Sequence, residues 1–134
     1  EAETKHIELN KFSMSEYGIP YCYSPVIIAK NNLAIAHKNE YSNFLKATQK
    51  GYQYAIENKS KSTSILSEYL TDYDKENVDL HKSLDITAPY FGNEKACGLM
   101  KPKRIDVFLK WLVEHSLESS TIIDQHLFTN DLLK

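Results

Sequence analysis

Tyr17, Tyr21 and Tyr23 stand close together among Gly18, Pro20, Ser24 and Pro25. Tyrosine offers a flat apolar face with a hydroxyl at its tip, while Gly and Pro punctuate the backbone, so the segment suits a ligand-lined crossover. The same residues also fit a turn with packing tyrosines. In extended backbone Tyr21 and Tyr23 face one way and Cys22 the other. Other residue types that could do chemistry are scattered. The histidines His6, His37, His81, His115 and His126 never stand at i, i+4 or in a His-Glu-x-x-His pattern, which argues against a helical metal site. Asp72 and Asp74 flank Tyr73 at a helix boundary and read as capping groups. Lys101, Lys103 and Arg104 form a basic turn that could attract an anion but reads as solvated. Cys22 and Cys97 lack Cys-x-x-Cys spacing, so neither a zinc knuckle nor a thioredoxin-type dithiol is indicated, and one disulfide stays open. No Gly-x-Ser-x-Gly or phosphate-cradling loop is present, and no catalytic residue is assigned.

A chain of 134 residues is one domain by length. Folded alone, it would bury roughly two-thirds of its unfolded surface. The net charge of −2 comes from interspersed Lys, Asp and Glu, with no basic stripe to neutralise phosphates, so nucleic acid is excluded as a partner. No apolar run approaches the roughly 18 residues of a spanning helix, and Glu1-Ala2-Glu3-Thr4 is not a signal peptide. A processed or cropped N-terminus would read the same way.

The elements that would position these groups are mostly helical. His6-Ile7-Glu8-Leu9 alternates over too few residues for more than a short edge strand. Residues 22–29 read as a buried strand, because Val26, Ile27 and Ile28 have no polar gap. From about Glu40 to Glu57, Tyr41, Phe44, Leu45, Thr48, Tyr52, Ala55 and Ile56 recur three or four apart, predicting a long helix with Asn39 at its N-cap. Gly51 inside it costs about 1 kcal/mol relative to Ala and so suggests a close helix contact. Asn58 to Ser62 reads as a turn before a helix centred on Ile65, Leu66, Tyr69 and Leu70. After Asp74 a weaker helix carries Val78, Leu80 and Leu84 and stops before Pro89, and Pro89 to Asn93 is a loop. Pro102 suits the first turn of a last helix whose apolar face is Ile105, Phe108, Leu109 and Leu112, widened by Trp111 and Val113. The tail, with Ile122-Ile123 and Leu127-Phe128, reads as a loop docking on the body.

One convincing strand among four or five helices is an odd proportion, since a buried strand needs neighbours for its backbone donors and acceptors. Four glycines are also fewer than the usual 7% or so, which favours helices over ligand-wrapping loops. The fold class is therefore α/β, predominantly helical, with one or two strands. Either the chain is a mainly helical protein with a short hairpin, or it belongs to a larger architecture.

The order of the motifs resembles the C-terminal part of the thiamine-pyrimidine, or "no message in thiamine", family, built on the type II periplasmic-binding-protein fold. The resemblance rests on Tyr17-Gly18-Ile19-Pro20-Tyr21, Tyr23-Ser24-Pro25-Val26, Phe44-Leu45 and Gly51-Tyr52-x-Tyr54-Ala55. At the far end Gly98-Leu99-Met100-Lys101-Pro102, Trp111-Leu112 and Leu127-Phe128-Thr129-Asn130 agree with it. It runs from about residue 16 over nearly the whole chain. Cys97 stands where an aromatic is expected, and Ser116 where the helix commonly ends in Gly; both departures concern packing and capping.

The resemblance implies a partial lobe of that fold, residues 1–134 forming one C-terminal segment with a crossover and strand region at 1–30 and a helical region at 31–134. The first lobe and most of the pocket would then lie upstream or in a partner chain. Ligand would sit between lobes closing by a hinge, with Tyr21 and Tyr23 stacking on a pyrimidine and Tyr17 and Ser24 completing the candidate ligand set. The family holds binding proteins for thiamine pyrimidine precursors, of hydroxymethylpyrimidine or formylaminopyrimidine type, that feed ABC transporters. It also holds synthases of the pyrimidine phosphate. The synthases resemble this chain less, since they carry several cysteines at the crossover and here there is only Cys22. The implied protein is thus an extracytoplasmic substrate-binding protein, without catalysis, cofactor or metal, whose partners are the pyrimidine and a transporter permease. The alternatives are a cytoplasmic synthase fragment using pyridoxal phosphate and iron, and an unrelated helical interaction module.

Overall fold

The computed structural model describes residue 2, residues 5–92 and residues 96–133. It is mostly helical, with six α-helices and no strand among the described residues. These are α1 (Asn31–Ala36), α2 (Lys38–Glu57), α3 (Lys59–Ser67), α4 (Asp72–Asn77), α5 (Leu80–Thr87) and α6 (Pro102–Glu114). Short 3-10 turns occupy Met14–Tyr17, Ala88–Tyr90 and Ser120–Asp124.

The chain divides into two compact units, Glu1–Asn10 with Asn43–Gly98 and Lys11–Ser42 with Leu99–Lys134. In the first, α3 packs on α5. Thr63, buried on α3, meets His81 of α5 at 3.0 Å from Oγ1 to Nε2. Lys59 of α3 donates to the Asp85 carboxylate of α5, and that bond, with the nearby positive charge, holds Asp85 below its ordinary carboxylate value. Gln49 of α2 donates from Nε2 to the carbonyl of buried Cys97 at 2.6 Å. Burial raises the Cys97 thiol above its usual value.

These contacts account for one difference from the sequence reading. Lys59 to Ser62 form the first turn of α3 rather than a loop, and only Asn58 interrupts the helical run. Ser and Lys carry no steric bar to the helix, and packing on α5 outweighs their modest propensity. At the other end α3 stops at Ser67, leaving Tyr69 and Leu70 outside it. The expected helix after Asp74 is two helices. Thr71 caps α4, accepting from the Asp74 N–H at 3.2 Å while its hydroxyl donates to the Asp74 carboxylate at 2.6 Å. Asp79 caps α5. Two caps eight residues apart stop either helix from absorbing the other. As expected, α5 ends before Pro89. Of the loop expected at Pro89 to Asn93, residues 88–90 form a 3-10 turn and Asn93 lies outside the described residues.

α2 matches its prediction but starts at Lys38, so Asn39 lies inside the helix rather than capping it. α1 reaches it through His37 alone, whose carbonyl already accepts from the Tyr41 N–H. Gly51 makes no close helix contact: a Cβ there would meet nothing within 4 Å.

The second unit is built on α6, where Pro102 takes the first position and Ile105 and Leu109 are buried. The helix ends in a Schellman motif. The Ser116 N–H donates to the Val113 carbonyl and the Leu117 N–H to that of Leu112, with Ser116 at φ 56°. This left-handed position is one glycine occupies most easily, which accounts for the unusual Ser116. The tail docks as expected, the Asn130 amide accepting from the Met100 N–H at 3.0 Å and donating to the Met100 carbonyl at 2.8 Å.

The two expected strands are absent. Residues 6–9 and 22–29 form no ladder, and Ile28 is 87% exposed. β-branched residues favour extended backbone only when a neighbouring strand takes up their N–H and C=O groups, and the described residues supply none. The strand component of the expected α/β class is therefore corrected, and its helical component stands.

Candidate functional site

The tyrosine segment lies in the second unit, and its path follows from local chemistry. The 3-10 turn Met14–Tyr17 is closed by Gly18 at φ 69°, a conformation that strains other residues. The Ile19 N–H returns to the Met14 carbonyl, and the chain then passes through half-buried Pro20. Tyr21 donates its hydroxyl to the Ser24 carbonyl at 3.2 Å, holding residues 21–24 in a tight loop.

Tyr23 reaches much farther. Its hydroxyl accepts from the Lys101 N–H at 2.7 Å, a partner 78 residues away, and Lys101 is the N-cap of α6, which has no side-chain cap of its own. An orphan N–H at a helix start needs an acceptor, and Tyr23 supplies one. The Arg104 guanidinium lies 5.1 Å from the centre of the Tyr23 ring, within cation–π range. A cleft of about 320 Å³ runs beside this contact, lined by Pro20, Tyr21, Lys101, Lys103, Arg104 and Val107.

The four residues singled out by sequence thus separate. Tyr21 lines the cleft with its ring half exposed, whereas Tyr23 stands next to it, with its hydroxyl committed to α6 and Arg104 over its ring. Tyr17 is 63% exposed and sits against Phe12 with ring centres 6.2 Å apart, away from the cleft lining. Ser24 contributes its backbone carbonyl to Tyr21.

The residues missed are Lys101, Lys103 and Arg104, which the sequence presents as a solvated turn. Their type and spacing were visible, but their position against Pro20 and Tyr21 depends on a long-range contact. The cleft lining combines Pro20, Tyr21 and Val107 with the cationic side chains of Lys101, Lys103 and Arg104. Such a lining is chemically suited to a ring bearing an acceptor or anionic edge, and among the described residues it contains no carboxylate, histidine or cysteine. Among the described residues, no group of three or more His, Cys, Asp or Glu could hold a metal ion, and both cysteines are free. No helix among them is long and apolar enough to cross a membrane.

Residues 1–62, somewhat under half of the chain, match the model of the family described as NMT1/THI5 like, in agreement with the thiamine-pyrimidine resemblance. The matched span contains Tyr17, Tyr21, Tyr23 and Ser24 and ends inside α3, so the far-end motifs from Gly98 onward lie beyond it. No curated protein and no solved structure matches the chain.

Proposed function

We propose that this chain is a C-terminal lobe-like segment, residues 1–134, of a type II periplasmic-binding-protein-like receptor for a thiamine pyrimidine precursor. The ligand is of hydroxymethylpyrimidine or formylaminopyrimidine type. The observation that carries the reading is that Tyr21, within the family-matched span, lines a cleft together with Pro20, Val107 and the cations at the start of α6. Stacking on Tyr21, with Tyr23 fixing the cleft against α6, gives reversible capture without chemistry. A first lobe, in the same or a partner chain, closes over the ligand, and the exposed Val26-Ile27-Ile28 run supports a further covering surface there. The receptor works outside the cytoplasm and delivers its ligand to an ABC transporter permease.

One observation favours a second reading, a fragment of the pyrimidine phosphate synthase. Lys101, Lys103 and Arg104 edge the same cleft and suit a phosphate. That reading would bring pyridoxal phosphate and iron, held by residues outside this chain, whereas the capture step proposed above uses neither.

Thermal unfolding with hydroxymethylpyrimidine, its phosphate and formylaminopyrimidine tests both readings. A ligand at 100 times its Kd stabilises the folded state by about 2.7 kcal/mol. Tyr21→Ala should abolish that rise with little change in the ligand-free midpoint. Tyr23→Ala should abolish it and also lower the ligand-free stability by about 1 kcal/mol, through the lost acceptor for the Lys101 N–H. A rise confined to the phosphate supports the synthase. A cooperative transition unmoved by all three would mean that the helices fold alone and that ligand recognition belongs to the first lobe or to another function, such as the helical interaction module, and would overturn the role given to Tyr21.

A further inference from the structure

The first unit holds a larger cleft. It measures about 520 Å³, within the range of sites for drug-sized ligands, and lies among α2, α3, α5 and Phe91. Its walls are largely apolar, from Tyr52, Ala55, Leu66, Leu80, Leu84 and Phe91, and among the described residues no charged side chain lines it. Tyr52 and Phe91 meet edge to face at 4.7 Å, presenting an aromatic pair to an incoming ring.

Two further features distinguish this cleft from a loosely packed seam. Gly51 lines it from the middle of α2, where glycine costs about 1 kcal/mol relative to Ala, yet an added Cβ would meet nothing within 4 Å. Neither packing nor backbone conformation therefore requires glycine, and what its missing side chain leaves open is cleft space. The second feature is Ser62, also in the lining, whose hydroxyl is buried without a hydrogen-bond partner. Buried polar groups are normally paired. The neighbouring hydroxyls of Thr48, Thr63 and Thr87 are already committed to carbonyls of their own helices.

We propose that this cleft is a second ligand site, for a neutral, flat, mostly apolar molecule with one polar edge, of the aryl or heteroaryl class. The uncharged lining among the described residues favours a neutral ligand over a carboxylate or phosphate, and the aromatic pair favours a ring over an alkyl chain. The site rests on the first unit alone and is independent of the pyrimidine reading at Tyr21.

Indole is the probe, titrated into the full chain with methyl NMR and thermal unfolding as readouts. The expected result is a saturable rise in the unfolding midpoint with intermolecular NOEs to the methyls of Leu66, Leu80 and Leu84. Gly51→Leu should raise the indole-free midpoint through better helix propensity and weaken indole binding by about tenfold or more. Gly51→Ala, which adds one methyl, decides the matter if the leucine variant does not fold, and should weaken binding several-fold. Tyr21→Ala should leave the indole response unchanged, which separates this site from the pyrimidine cleft. A wild-type chain with no saturable response, NOEs confined to other methyls, or undiminished binding in the folded Gly51 variant would overturn the proposal.

Discussion

In the first unit, regular helices surround space they do not fill. α3 and α5 are joined by a hydroxyl–imidazole contact and an exposed ion pair, and α2 lines an open cleft. In the second, long irregular segments are fastened to one amphipathic helix by side chains that bond to backbone. Tyr23 takes the Lys101 N–H, and Asn130 takes both polar groups of Met100. Regular structure therefore does not measure how closely a region is held. A helix satisfies its own backbone and can leave its side chains loosely engaged, whereas an irregular segment must find partners for its backbone or leave it to water.

The largest effect that would sharpen this contrast is expected from Leu109→Ala. Leu109 is buried on α6, and its truncation should cost about 2–4 kcal/mol. Hydrogen exchange should rise throughout α6 and leave α3 and α5 protected; equal loss in both units would dissolve the distinction. Asn130→Ala is expected to cost about 1–2 kcal/mol, because it strands two backbone groups of Met100. Its exchange signature should centre on residues 99–101 and the tail, and a silent variant would show that the tail is not fastened by this side chain.

The smallest effect is that of the Lys59–Asp85 pair. Since Asp85 has a folded-state value below its unfolded one, its contribution is present above the unfolded value and is lost as pH falls through the folded value. Asp85→Asn should slightly flatten the acid-side fall in unfolding midpoint and leave little trace in high salt, because the pair is exposed. A large effect at neutral pH would make the ionic joint a principal support of the first unit.

How far the sequence foretold these features depends on the range of the interactions involved. α2 and α6 were legible because their apolar residues repeat with the helical period, and Pro102 and Pro89 mark a start and a stop through the geometry of the proline ring. The Ser116 departure likewise pointed to a helix end, where the structure has a left-handed residue. The failures are non-local. A strand at 22–29 depends on partners the local pattern cannot supply, and the helical start of α3 depends on packing against α5. At the candidate site Tyr21 and Tyr23 stood out by composition. The arrival of Arg104 over the Tyr23 ring did not, because no local pattern records which distant helix will meet a hydroxyl.

The uncovered run Val26-Ile27-Ile28 bears on how the protein behaves in concentrated solution. A short, uncharged, β-branched stretch with unsatisfied backbone is the kind of segment that seeds intermolecular cross-β association. Pro25 before it and Lys30 shortly after are the residue types that interrupt such stacking, one by withholding an N–H and the other by charge repulsion. Solubility would then depend on these two flanking residues as much as on any interior contact.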